Sequence, residues 1–146
     1  MNIAIGSDSK SHLTDMVISV TKSKGYRVKL FGALNDQDTL WPQVGHEVAK
    51  EVASGAVSQG ILFCWTGTGI SMAANKVCGI RAALCQDSET ARGARVWNDA
   101  NILVLSLRAL SEEICKEILE AWFHTKASEK PEDRECFRYL EMLDRK

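Results

Sequence analysis

Short apolar segments alternate with longer amphipathic segments along most of this 146-residue chain. Residues 2–5, 27–31, 60–64, 80–85 and 101–105 read as strands, and apolar side chains recur at helical spacing between and after them. Repeated strand–helix units favour a parallel sheet with helices on both faces, because their crossovers are right-handed. The sequence therefore predicts an α/β fold: a Rossmann-like three-layer α/β/α sandwich with a five-stranded parallel sheet and a C-terminal helix.

Length and charge narrow the classes of protein that this chain can belong to. We expect residues 1–146 to form one domain, since a chain of this length leaves little room for a second. The net charge of -1, with no basic block, argues against a nucleic-acid partner. No apolar stretch approaches the ~18 residues that span a bilayer, and the N-terminus turns polar too early for a signal peptide. We expect no membrane association.

The number and spacing of the cysteines indicate the cellular compartment of the protein. They are five in number and widely spaced, and form no CxxC pair or cysteine–histidine cluster that would suggest zinc. We predict a cytoplasmic protein with reduced thiols and without a metal site. The five are Cys64, Cys78, Cys85, Cys115 and Cys136.

The most informative local pattern is a glycine-rich turn between an apolar strand and a helix start. Gly67 and Gly69 allow a tight turn, so that several backbone N–H groups can point at one anionic atom, and the helix N-terminus adds positive potential. Such an oxyanion hole stabilises an alkoxide or enolate. Cys64 ends the strand before the turn, which makes it a candidate proton-abstracting base.

Spacing alone does not decide what this turn does. A lone cysteine before a tight turn is more often a buried structural residue. The segment also lacks the GxxxxGK[ST] pattern of a phosphate loop, and no GxGxxG fingerprint follows the first strand. A dinucleotide-dependent hydride-transfer enzyme is therefore the weakest alternative.

Several motifs in series resemble one family. Residues 64–76, Cys-Trp-Thr-Gly-Thr-Gly-Ile-Ser-Met-Ala-Ala-Asn-Lys, followed by Gly-Ile-Arg-Ala-Ala at 79–83, resemble the CGTGxGxSxxANK…GIRAA signature of the ribose-5-phosphate isomerase B and galactose-6-phosphate isomerase family. Residues 6–8 resemble its GSDH segment and residues 98–103 its HNDANVL segment. Arg134 and Arg138 resemble its paired C-terminal arginines. The resemblance covers residues 1–140.

The resemblance implies an aldose–ketose isomerase that acts on a phosphorylated sugar of the ribose 5-phosphate type through an enediolate, with no metal or organic cofactor. Cys64 would move the proton, Thr66 would assist it, Asp8 would bind sugar hydroxyls, and Asn98 would come from the partner subunit of a homodimer with shared active sites, a tetramer being the alternative. The implied oxyanion contacts are Gly67, Thr68, Gly69, Ile70 and Ser71. The implied phosphate ligands are Arg108, Arg134 and Arg138.

Each of these residues also has a structural explanation. Asp8 or Ser9 could cap the first helix, and Asn98 could stabilise a turn. Arg134 and Arg138 lie four residues apart and could pair with nearby glutamates on a helix surface. The family resemblance shifts our interpretation toward function for Cys64, Asp8 and Asn98.

The chain departs from the family pattern around the sugar. Ser9 and Trp97 stand where the family has histidines, and an indole N–H cannot replace the acid that opens a furanose ring. Trp41 and Trp65 replace a tyrosine and a glycine. Ser9 and the three tryptophans Trp41, Trp65 and Trp97 should all border the substrate. We therefore predict a substrate other than ribose 5-phosphate, such as an open-chain tetrose 4-phosphate.

Three alternatives remain open at the level of sequence. Asp8 or water could open the ring, which would make the chain an ordinary pentose phosphate isomerase. The substrate could instead be a hexose 6-phosphate, in which case a second, related subunit is expected. The missing histidines also fit a sugar-phosphate-binding protein without catalysis.

Overall fold

Five parallel strands form one sheet in the order β2-β1-β3-β5-β4. The computed structural model describes residues 1–144. The strands are β1 (Asn2–Ser7), β2 (Arg27–Gly32), β3 (Gln59–Cys64), β4 (Ala82–Leu84) and β5 (Ile102–Ser106). Because all five run in the same direction, their carboxyl ends meet at one edge of the sheet, where α/β folds bind ligands.

Helices cover both faces of this sheet. They are α1 (His12–Ser23), α2 (Trp41–Ala53), α3 (Thr68–Ala74), α4 (Ser88–Asn98), α5 (Glu112–His124) and α6 (Pro131–Leu143). Alternate residues of β3 point to opposite faces: Ile61 and Phe63 pack with α1, α4 and α5, whereas Leu62 and Cys64 pack with α2 and α3. The predicted three-layer α/β/α sandwich with a five-stranded parallel sheet and a C-terminal helix is confirmed.

The edge strand β4 is shorter than the predicted 80–85. The amide side chain of Asn75 accepts from the N–H of Ala82 at 2.8 Å and donates to its carbonyl at 2.9 Å. These side-chain bonds pair backbone groups that have no strand neighbour on the outer side. The pairing of β4 with β5 is confined to Ala82–Leu84.

Local geometry fixes where two of the helices begin. α3 starts at Thr68, because Gly67 adopts a left-handed conformation (φ +80°) and turns the chain directly into the helix. α1 starts at His12, where the Ser11 hydroxyl accepts from the N–H of Thr14 at 3.2 Å. Neither Asp8 nor Ser9 therefore caps α1.

Helix α6 has no buried residue. It exposes the apolar side chains Tyr139, Leu140, Met142 and Leu143. Within residues 1–144, no helix is both long enough and apolar enough to cross a membrane.

Candidate active site

A cleft of about 270 Å³ lies at the carboxyl ends of β1 and β3. Asp8 follows β1, Trp41 opens α2, and the other lining residues belong to the strand–turn–helix segment around Cys64. The lining residues are Asp8, Trp41, Cys64, Trp65, Thr66, Thr68 and Gly69. Folding thus brings the candidate base, the glycine turn and the candidate hydroxyl-binding carboxylate to one place.

Cys64 is the last residue of β3 and is only 6% exposed. Its Sγ accepts a hydrogen bond from the backbone N–H of Gly67 at 3.2 Å. This bond orients the sulfur toward the turn, and Cys64 is one of the residues that line the cleft.

The turn requires glycine at position 67. A Cβ there would lie 2.5 Å from Cδ1 of Leu84, and the positive φ would strain any L side chain. Position 69 is also tight, since a Cβ would lie 3.1 Å from the Trp41 ring. The turn is thus enclosed by Leu84 on one side and by an indole on the other.

Two threonine hydroxyls form a polar rim. Oγ1 of Thr66 and Oγ1 of Thr68 are 2.8 Å apart, and both residues are exposed. One of the two hydroxyls donates to the other, so the pair can pass a proton or contact a sugar oxygen.

Asp8 lies in a braced loop. The buried Ser7 hydroxyl donates to the carbonyl of Ser9 at 2.6 Å and accepts from the Ser9 N–H at 3.2 Å. The loop therefore closes around Asp8, whose half-buried side chain lines the cleft. Ser9 itself is exposed, does not line the cleft, and lies with its Oγ 3.5 Å from Oδ1 of Asp8.

Three other predicted contacts lie around the turn. Ile70 is fully buried and offers the cleft no surface, and Ser71 is half-buried in α3. Arg108 follows β5 with an exposed side chain, and its N–H donates to the carbonyl of Trp65 at 3.0 Å. Arg108 is therefore tied to the residue after Cys64 although it does not line the cleft.

Trp97 and Asn98 line a separate depression of about 570 Å³ at the end of α4. The Trp97 ring lies back over its own helix, where a Cβ on Gly93 would meet it at 2.9 Å and the Arg92 guanidinium lies 5.1 Å from its centroid. Leu84 belongs to this depression and also contacts Gly67, so one side chain separates the two spaces. Within residues 1–144 the Asn98 side chain makes no hydrogen bond that would support a role in a turn.

Arg134 and Arg138 lie on α6 in a third pocket of about 560 Å³. Its other charged lining residues are Arg95, Lys126, Asp99, Glu129 and Glu141. Arg95 is already engaged: it donates to the carbonyls of Ala100 and Thr125, and burial lowers the pKa of its guanidinium. Among the described residues, no carboxylate lies within ion-pairing distance of Arg134 or Arg138. The surface pairing considered above is therefore not formed.

The cysteines differ in their surroundings. Burial raises the pKa of the Cys115 thiol to about 12, and burial together with the Asp87 charge does the same for Cys85. These two side chains pack in the core as neutral thiols. In the part of the chain that the structure describes, no group of three His, Cys, Asp or Glu side chains is arranged to hold a metal ion.

Trp65 lines the cleft, in line with its departure from the family pattern. Ser106 was absent from the predicted set: it lies beside Cys64 in the sheet, and no local pattern in the sequence points to it.

Residues 3–137 match the family described as Ribose/Galactose Isomerase. The chain belongs to this family. The resemblance read from the sequence is thereby confirmed, and so is the expectation that the protein is an isomerase.

Curated relatives of this isomerase are named for more than one substrate. This chain is 36% identical over 123 residues to "Ribose-5-P isomerase B" of Listeria innocua, and the matched region covers 84% of this chain and 83% of that protein. It is also 36% identical over 124 residues to "D-erythrulose-4-phosphate isomerase" of Pectobacterium atrosepticum, covering 84% and 82%. The percentage of sequence identity therefore does not distinguish a five-carbon substrate from a four-carbon substrate.

The fold of this isomerase is similar to solved structures along its full length. The ribose-5-phosphate isomerase B of Clostridium thermocellum superposes with a TM-score of 0.91 at 36% identity, covering 99% of this chain and 97% of that one. The overall fold of this chain is thus shared with a solved ribose-5-phosphate isomerase B.

Proposed function

We propose that this isomerase interconverts an aldose phosphate and a ketose phosphate through an enediolate, with Cys64 as the base. One observation carries the proposal: the Cys64 sulfur accepts from the Gly67 N–H at 3.2 Å and borders the same cleft as Asp8 and the first residues of α3. A base, a carboxylate for sugar hydroxyls and N–H groups for an oxyanion are the parts that this reaction needs.

The proposed proton path needs only groups of the protein. The Cys64 thiolate removes the proton from C2 of the open-chain aldose, and the C2–H electron pair forms the C1=C2 bond while charge moves to O1. The amides of Thr68 and Gly69, in the first turn of α3, have no carbonyl one turn earlier and can donate to that oxygen. Thr66 is within reach to relay a proton between O2 and O1. The thiol then returns its proton to C1, which yields the ketose.

We propose that the site is completed by a second copy of the chain. In one copy, Asn98, Arg134 and Arg138 lie in spaces other than the Cys64 cleft. The two arginines carry no ion pair among the described residues, so their charge is available for a phosphate dianion. The exposed apolar side chains of α6 and the exposed Met72 and Trp97 offer surface for a homodimer.

A second proposal concerns the substrate. Trp97 stands at the position of the ring-opening histidine, and its indole N–H cannot act as an acid at neutral pH. A tetrose 4-phosphate cannot close a furanose ring through its phosphorylated oxygen and so needs no such acid. The relative named for D-erythrulose 4-phosphate supports this candidate. Ribose 5-phosphate and hexose 6-phosphates remain the alternatives to test.

Deuterium incorporation tests the reaction and the base together. Four-, five- and six-carbon aldose and ketose phosphates are incubated in deuterated buffer with wild type, Cys64→Ala and the control Cys78→Ala, which removes an exposed thiol outside the cleft. We expect uptake beside the carbonyl with wild type and Cys78→Ala, and none with Cys64→Ala.

Each other outcome has a defined meaning. Uptake that survives in Cys64→Ala would remove Cys64 as the base. Binding without uptake for every sugar phosphate would identify a catalytically inactive binding protein. Higher kcat/KM for ribose 5-phosphate than for a tetrose 4-phosphate would exclude the open-chain substrate.

We also propose that residues 1–146 act as one catalytic domain in the cytoplasm. The five cysteines support this location, since none forms a disulfide.

A further inference from the structure

Ser106 is one of four buried polar residues in the described part of the chain, at 2% exposure. It ends β5 and is the direct Cα partner of Cys64 in the parallel pairing of β3 with β5. Neighbouring core positions of β5 hold Leu103, Val104 and Leu105. A hydroxyl at such a buried position is unfavourable unless it is hydrogen-bonded.

Both bonding functions of this hydroxyl are used. It donates to the carbonyl of Trp65 at 2.9 Å and accepts from the N–H of Ala109 at 3.2 Å. The Trp65 carbonyl also accepts from the N–H of Arg108 at 3.0 Å. Two donors from the β5 end therefore hold the peptide that follows the candidate base.

The backbone of Cys64 is held from the same side. Its carbonyl accepts from the N–H of Leu107 at 3.1 Å, so the residues after β5 continue the pairing beyond the last strand residue of β3. The chain must leave this paired geometry and reach the left-handed Gly67, whose N–H binds the sulfur, within three residues. The orientation of the Trp65 peptide thus decides where Thr66 and the Gly67 N–H lie relative to Cys64.

We propose that Ser106 is a positioning residue of this active site: its hydroxyl fixes the Trp65 carbonyl and thereby holds the Cys64 sulfur and the Gly67 N–H in their working geometry. This inference rests on the proposed role of Cys64 as the base. Ser106 does not line the cleft, so it acts through the Cys64–Gly67 segment rather than on substrate.

The test compares Ser106→Ala with Ser106→Thr and Thr21→Val. Ser106→Thr keeps the hydroxyl. Thr21→Val is the matched control, because the Thr21 hydroxyl is also fully buried and donates to the carbonyl of Val17 at 2.7 Å, in α1 and outside the cleft. Thermal unfolding, kcat, KM and the alkylation rate of Cys64 by iodoacetamide, mapped by mass spectrometry, are measured for each.

We expect Ser106→Ala to lower kcat by roughly tenfold to a hundredfold with KM nearly unchanged, because a misplaced catalytic group weakens the transition state rather than binding. The Cys64 alkylation rate should change relative to that of Cys78 in the same sample. Thr21→Val should lower the Tm comparably while leaving kcat and alkylation at wild-type values, and Ser106→Thr should retain kcat to within about threefold.

The inference is overturned if Ser106→Ala keeps wild-type kcat and wild-type Cys64 alkylation, or if Thr21→Val loses as much kcat. If Ser106→Ala does not fold, a Ser106→Thr variant that folds but is as inactive as Cys64→Ala would equally count against it. A failure of the proposed function would be detected separately, by measuring deuterium uptake with wild type and Cys64→Ala. The alkylation rate still reports whether Ser106 positions the thiol.

Discussion

The indole ring of Trp41 lies against Gly69, so closely that a Cβ on the glycine would stand 3.1 Å from the ring. Trp41 is the first residue of α2, and Gly69 lies in the first turn of α3. The ring thus covers the segment that supplies the proposed oxyanion donors, and it narrows the cleft to about 270 Å³.

Trp41→Ala should allow the cleft to bind longer sugar phosphates. Removing the ring opens space above Gly69, so kcat/KM for six-carbon relative to four-carbon sugar phosphates should rise at least tenfold, as the fit of a single methylene is worth about 1–3 kcal/mol. The control is Leu40→Ala, which trims an adjacent side chain that is 70% exposed. Equal substrate ratios for the two variants would show that Trp41 does not limit chain length.

Gly67→Ala should lower the free energy of unfolding by roughly 2–4 kcal/mol, because alanine is strained at a left-handed φ and its Cβ would clash with Leu84. The variant should also be inactive. Gly25→Ala is the matched control, since Gly25 has a similar φ of +86° but no atom within 4 Å of the point where a Cβ would stand. Denaturant titration should show a smaller loss for Gly25→Ala. Adding Leu84→Ala to Gly67→Ala should recover part of the difference; no recovery would refute the clash.

Trp97→His should introduce an acid that titrates near neutral pH. We expect kcat/KM for ribose 5-phosphate to rise at least tenfold, with an inflection at about pH 6.5, because a general acid contributes to ring opening. Activity on a tetrose 4-phosphate should change little. Trp97→Phe controls for the loss of the indole, and identical behaviour of the two variants would mean that ring opening does not depend on this position.

Mixing inactive variants tests whether two copies share each site. Cys64→Ala and Asn98→Ala alter different spaces of one chain. If the sites are shared, a mixed dimer carries both defects in one site and leaves the other intact, so an equimolar re-associated mixture should recover about a quarter of wild-type activity. Recovery should be absent when Cys64→Ala is mixed with Gly67→Ala. No recovery in either mixture would place all functional groups within one copy.

The buried thiols predict how stability depends on alkaline pH. Burial raises the pKa of Cys115 from 9.0 to about 12, so above pH 9 the folded state holds a proton that the unfolded state releases. The free energy of unfolding should therefore fall from pH 9 toward pH 12 by up to about 1.4 kcal/mol per pH unit for this residue. Cys115→Ala should flatten that slope relative to Cys78→Ala. Parallel curves for the two variants would contradict the assignment.

Residues that act within one segment were predictable from the sequence. The strand–turn–helix around Cys64 is encoded by an apolar run and closely spaced glycines, and the structure brings Cys64, Thr66, Thr68 and Gly69 to one cleft. The cap of α5 is also local: Ser111 accepts from the N–H of Ile114 at 3.3 Å, and two glutamates follow it in the first turn. Such features depend on neighbours a few residues apart, which a sequence displays directly.

Features that depend on distant pairing were not predictable. The Trp122 indole N–H donates to Oε1 of Gln59, 63 positions away, and the Arg81 guanidinium donates to the Asp99 carboxylate, 18 positions away. Whether a second copy covers Asn98 and the α6 arginines depends on how well the folded surfaces of two copies fit together. Local helix or strand propensity carries no information on that fit.

By itself, then, the sequence determined the alternation of strands and helices, the glycine turn after Cys64 and the family. The tertiary structure alone decided that β5, and not β4, lies beside β3, and so that Ser106 binds the carbonyl of Trp65 across 41 positions of sequence. The physical reason is that periodicity reports which face of an element is buried. The choice of strand neighbour is made by the packing of the whole sheet against its two helical layers.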